Sequence, residues 1–132
     1  MARIPYVEKD SATAEAKELY DSFAQQFSLD DVPNVVKALS NNPKLARRVF
    51  PLADYFMHQS ALDPRLRELA VLILMTRLNC NYGFVRHISI AESTGISREQ
   101  IDNIGSYQTS SLFNDDDKLV LRYADDLTQK GT

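Results

Sequence analysis

The sequence predicts an all-α protein, a helical bundle of five to seven helices around a central antiparallel hairpin formed by residues 63–78 and 81–93. Three observations carry that expectation. Only four glycines occur in 132 residues. Apolar residues recur at three- and four-residue spacing, the period of a helix buried along one face. Capping residues stand where the apolar runs begin, and no alternating pattern of comparable strength marks a strand. The length fits a single domain over residues 1–132, with enough apolar chain to bury a core.

Each element has its own signal. Asp10 and Ser11 are placed to cap a first helix whose apolar stripe is Ala16, Leu19, Tyr20, Phe23 and Phe27. Asp30, Asp31 and Pro33 break it, and a short segment over 34–40 follows. At Asn42-Pro43 a second start combines a capping Asn with the fixed φ that Pro brings to a first turn. Leu45, Val49, Leu52, Phe56 and Met57 continue that helix, and Pro51 is expected to end or kink it near its middle. Asp63-Pro64 is the clearest start. It opens a helix over 65–78 whose later half is nearly all apolar, hence the most buried, and Asn79 stops it. The next helix runs from Cys80 or Asn81 to Ser93, with Gly95 as the left-handed residue after its end. Ser97-x-x-Gln100 has the form of a capping box and opens a short helix that Gly105 stops. Asn114-x-x-Asp117 starts the last helix, in which Leu119, Leu121, Tyr123, Ala124 and Leu127 are available for packing. The acidic run 115–117 reads as a charged first turn rather than a metal loop.

Composition narrows the function. Fifteen basic against eighteen acidic residues give a net charge of −3, which argues against a nucleic-acid binder working through bulk electrostatics. One cysteine builds no internal disulfide framework and no four-cysteine zinc site. The first ten residues lack the apolar stretch of a signal peptide, and the longest apolar run, 69–75, is far too short to span a bilayer. A cytoplasmic protein that acts on neither membrane nor nucleic acid is expected.

The chemistry gathers in one stretch. Glu68, Cys80 and His87 lie within twenty residues, on two predicted helices joined by a tight connection near Asn79. Antiparallel packing of those helices sets Glu68, about three turns before the connection, opposite His87, about two turns after it. Cys80 stands at the start of the second helix, where unpaired backbone N–H groups favour a thiolate. The step from Cys80 to His87 puts both on nearly one face but roughly 10 Å apart along the axis, so a water or a bent helix start is needed to join them. His58 carries no role. Arg47-Arg48 and Arg65-x-Arg67 read as solvated faces or interface pairs, with anion binding by an arginine as the sharper alternative.

Asp63-Pro64-x-Leu66-Arg67-Glu68-Leu69, then Asn79-Cys80-x-Tyr82-x-Phe84-x-x-His87 and Ala91…Gly95, resembles the carboxymuconolactone decarboxylase family, most closely its alkylhydroperoxidase-D-like branch. That branch carries a glutamate twelve residues before the first cysteine of a C-x-x-C-x-x-x-H motif, and Glu68, Cys80 and His87 match those positions. The second cysteine falls on Gly83, so this is a single-cysteine variant. The resemblance implies an all-helical chain that assembles as a homotrimer or hexamer, consistent with six Tyr and six Phe in so short a chain. It also implies a longer chain, so residues 129–132 read as a mid-sequence stop.

Two chemistries follow from the resemblance. The first is a thiol-dependent, peroxiredoxin-type antioxidant enzyme in which Cys80 attacks a hydroperoxide, Glu68 and His87 relay protons, and an external thiol resolves the sulfenic acid. The second is a cofactor-independent decarboxylase or lactone-handling enzyme acting on a carboxylic substrate, with His87 and Glu68 handling protons and Arg67 holding a carboxylate. A non-catalytic oligomeric binding protein on the same scaffold is the third reading. Tyr82 and Phe84 are the accompanying substrate-binding candidates, with packing as their plainer role. No cofactor is expected; Cys80, His87 and Glu68 number three possible metal ligands, but nothing else in the motif demands a metal.

Overall fold

The computed structural model describes residues 3–130, and of Lys130 the backbone alone. It is all-α. Seven α-helices are described: α1 (Ala14–Gln26), α2 (Asn34–Leu39), α3 (Pro43–Asp54), α4 (Pro64–Arg77), α5 (Asn81–Ser93), α6 (Arg98–Asp102) and α7 (Asp115–Lys130). Short 3-10 turns occupy Lys9–Ser11 and Ile104–Ser106, and a π-helical turn covers Tyr55–Gln59. The chain divides into two compact units, Met1–Ser60 and Ala61–Thr132. The expected stop over 129–132 falls partly on Gly131 and Thr132, outside the described residues.

In the first unit, α1, α2 and α3 bury Leu19, Tyr20, Phe23, Val32, Val36, Ala46 and Phe50. Phe23 stacks on Phe27 at 4.3 Å and meets Phe50 edge-on at 4.9 Å. The N-cap of α1 is Thr13, whose Oγ1 accepts from the Ala16 N–H at 3.3 Å, and not Ser11 as the sequence suggested. Ser11 is already engaged, since its N–H and its hydroxyl both donate to the Glu8 carbonyl within the preceding 3-10 turn.

α3 starts at Asn42-Pro43 as expected, with the Asn42 side chain accepting from the Leu45 N–H. Its buried face differs from the expected stripe. Ala46 and Phe50 are buried, whereas Leu45, Leu52 and Phe56 are about half exposed. Two contacts to α1 select this face: Phe50 takes the aromatic position beside Phe23, and Arg47 pairs with Glu15 and Glu18. Pro51 neither ends α3 nor falls at its boundary. The helix runs through it to Asp54 and then widens into the π-turn, the relaxation available to a helix whose proline has removed a ladder donor.

In the second unit α4 is the hub. α5, α7 and the 104–106 turn all pack against it, around Leu69, Leu72, Ile73, Ala91, Ile101, Tyr107 and Leu121. Asp63 caps α4 through Oδ1, which accepts from the Arg65 and Leu66 N–H groups at 2.9 and 3.2 Å. α4 closes in a Schellman turn: Asn79 takes φ +51° and donates to Thr76 O, and Cys80 donates to Met75 O at 2.9 Å. α5 closes in the same way through Gly95 at φ +91°. The Ser97–Gln100 capping box is present. α6 nevertheless ends at Asp102, ahead of Gly105, because the Asn103 side chain returns to the Glu99 carbonyl at 2.9 Å.

α7 opens at Asn114, whose Oδ1 accepts from the Asp117 N–H at 2.9 Å. It buries Leu121 and Ala124, while Leu119, Tyr123 and Leu127 stay exposed, in contrast to the five packing residues expected. Two fully buried acids choose that face. Asp117 and Asp125 each take a two-pronged bond from an arginine of α4, Arg65 Nη2 at 2.9 Å and Arg77 Nε and Nη2 at 2.8 Å. Both partner numbers rise together, so α4 and α7 run in the same direction with an ion pair near each end of their shared core.

The Arg65 and Arg77 guanidiniums hold the Asp117 and Asp125 carboxyls below the usual 3.8, against an opposing effect of burial. Each acid therefore contributes stability that is fully present above 3.8 and lost as pH falls through its lower folded value. The two ends of a pair are unequal. Arg65→Met strands a buried carboxylate and should cost about 3–5 kcal/mol. Asp117→Asn leaves a guanidinium that reaches water and should cost about 1–2 kcal/mol. Urea unfolding of the two variants at neutral pH checks the asymmetry, and equal costs would contradict it.

Candidate functional site

The inward face of α5 is set by Phe84, Ile88 and Ala91, which pack on the core. His87 lies three residues after Phe84 and four before Ala91, so the helical period carries it to that same face. On α4, Glu68 immediately precedes Leu69 and lies one turn before Leu72, both fully buried, and it has no exposed surface itself. The two meet as expected: His87 Nδ1 lies 2.7 Å from Glu68 Oε2. An ionised carboxylate only accepts, so the proton of this bond sits on Nδ1, and Nε2 is the ring nitrogen not engaged with Glu68. Glu68 is thus no first-turn helix acid facing solvent; it is an interior carboxylate.

Arg67 is drawn to the same carboxylate. Its Nε donates to Glu68 Oε1 at 3.2 Å, and its side chain is mostly buried.

Cys80 forms the N-cap of α5 and is half-buried. Its sulfur leans over the first turn, 3.2 Å from the point where a Cβ at Gly83 would sit. The Met75 sulfur fills that point, only 2.5 Å away. The bare face of Gly83 is therefore covered by the Met75 thioether, beside the Cys80 sulfur. Sequence reasoning missed Met75; its signal is the position five residues before Cys80, across the turn whose N–H···O bond joins the two. Cys80 and His87 share a helix but lie about 10 Å apart along it by helical rise. The structure brings Glu68, His87 and Arg67 together and leaves Cys80 at the far end of the same face.

The other candidates fall in plainer places. Phe84 packs against the core, and Tyr82 lies half exposed on the first turn of α5. In the first unit His58 bonds Asp54 through Nδ1 at 2.7 Å, and its ring lies 5.2 Å from Phe27. That bond, more than those of the neighbouring glutamines, holds the Asp54 carboxyl below its usual value. A small cavity of about 70 Å³ beside Tyr20, Asp31 and Lys37 contains none of the candidate residues. Among the described residues, no three His, Cys, Asp or Glu side chains gather to hold a metal ion, and no helix is long and apolar enough to cross a membrane.

Comparison with curated proteins finds no match. Among solved structures, the alkylhydroperoxidase AhpD core from Rhodospirillum rubrum ATCC 11170 is similar over all of this chain and 93% of its own, at 23% identity and a TM-score of 0.67. That likeness shows the fold. The pattern of one sequence family matches residues 43–113, a stretch that holds Arg67, Glu68, Met75, Cys80, Gly83 and His87. With more than half of its length inside that match, and with the all-α fold already in place, the chain belongs to the carboxymuconolactone decarboxylase family.

Proposed function

We propose that this protein is a thiol-dependent, peroxidase-like enzyme with Cys80 as its nucleophile and the Glu68–His87 pair as its proton relay. The observation that carries the reading is the placement of a half-buried thiol at the N-terminus of the helix that also holds a histidine backed by a buried carboxylate. As the N-cap residue, Cys80 stands at the positive end of that helix's dipole. A proton-handling decarboxylase would use Glu68 and His87 but has no need of a thiol at that place.

The steps balance. The Cys80 thiolate attacks one oxygen of a hydroperoxide; the O–O bond breaks as the S–O bond forms. Sulfur gives up two electrons, and the departing alkoxide takes through water the proton that His87 Nε2 had accepted from the Cys80 thiol, leaving a sulfenic acid and an alcohol. An external thiol then displaces water to give a mixed disulfide, and a second thiol restores Cys80 and leaves as a disulfide. Because Gly83 offers no resolving sulfur, the reductant comes from outside the chain or from Cys80 of another subunit. Self-association is part of this reading, and the exposed Leu119, Tyr123 and Leu127 of α7 support it.

Hydroperoxide reduction should require added small thiol. Cys80→Ser should abolish it, and His87→Ala should slow it about a hundredfold or more. Gly83→Cys would place a Cβ 3.2 Å from the Cys80 sulfur, close to the spacing within a disulfide, with only the flexible end of Met75 to displace. That variant should need less added thiol. A Cys80 that ignores hydroperoxide in the native protein would overturn the reading and leave Glu68 and His87 as the remaining chemistry.

A further inference from the structure

Arg67 and Glu68 are consecutive residues of one helix. Consecutive helical side chains point about 100° apart and do not ordinarily meet. Here the Arg67 side chain turns back so that Nε reaches Glu68 Oε1 at 3.2 Å, and it is 14% exposed. Helix geometry does not dictate that contact.

The carboxylate gains from that contact. Glu68 is fully buried, and His87 satisfies only Oε2. A buried carboxylate whose sole partner is a neutral imidazole has no counter-charge, a costly state. It escapes that state by binding one proton from water. That leaves either an imidazolium beside the carboxylate or, once the Nδ1 proton passes to Glu68, a neutral ring protonated on Nε2; either outcome removes the base at Nε2. A permanently charged guanidinium on the other oxygen closes both escapes.

We propose that Arg67 is a positioning residue for this site: its guanidinium keeps Glu68 ionised and aimed, so that His87 stays in the Nδ1–H form with Nε2 free to exchange a proton. This deepens the peroxidase-like reading, since it assigns Arg67 to the relay and not to a substrate carboxylate. Its test needs no turnover, so the two can fail separately.

The protein has two histidines, His58 and His87. Nitrogen-15 NMR of the imidazoles reports the tautomer and titration of each, and His58, paired with Asp54 in the other unit, is an internal control. Arg67→Gln removes the charge. The Glu68–His87 pair should then bind its proton more readily, and the fixed Nδ1–H signature should weaken. Arg67→Lys keeps charge but loses the planar donor, and its shift should lie between wild type and Arg67→Gln. His58 should not move in either variant. Either variant, folded and showing the wild-type midpoint and tautomer at His87, would overturn the proposal. Should Arg67→Gln fail to fold, the Arg67→Lys spectrum decides on the same criterion.

Discussion

A carboxylate with no exposed surface, on the helix against which the rest of its unit packs, sets the terms for the second half of this chain. Taking Glu68 out of water costs several kcal/mol unless each oxygen finds a donor of suitable charge. The donors come from two directions. Arg67 folds back along α4, and His87 arrives from α5, whose own apolar face would turn it inward in any case. The interaction that stabilises the buried charge is also the one that fixes which imidazole nitrogen holds a proton.

α4 repeats this device at its ends. Arg65 and Arg77 reach across to Asp117 and Asp125, so the apolar contact of α4 with α7 is bracketed by paired charges. These pairs set which face of α7 is buried. Leu121 and Ala124 turn inward because they lie on the face of the two acids, and Leu119, Tyr123 and Leu127 turn out. Hydrophobicity alone would not have made that choice, since the outer face is at least as apolar as the inner one. Cys80 follows α4 directly through the Schellman turn.

Much of this was legible in the sequence. Caps at Asn42, Asp63, Ser97 and Asn114 depend on local hydrogen bonds, and local sequence encodes them. The meeting of Glu68 with His87 was legible because two helices and one short turn leave little freedom in which residues face each other. The buried faces of α3 and α7 were not. Each helix offers two apolar stripes, and long-range pairs, Arg47 with Glu15 and Glu18 and Arg65 with Asp117, decided between them. Ser11 misled because its hydroxyl turns back to Glu8 within a 3-10 turn, and Thr13 supplies the accepting oxygen at the helix start. Met75 was missed because a flexible thioether resting on a glycine leaves no periodic mark, only its place five residues before Cys80.

The central claim is that the buried carboxylate drives chemistry at a thiol it does not touch. The most direct measurement is the rate at which hydroperoxide converts Cys80 to a trapped sulfenic acid, followed by intact mass, in the native protein and in Glu68→Gln. The substitution keeps the shape of residue 68 and removes its charge. The account predicts a folded variant in which oxidation of Cys80 is slower by about a hundredfold, the scale of a lost acid–base relay. A folded Glu68→Gln protein whose Cys80 oxidises at the native rate would contradict it.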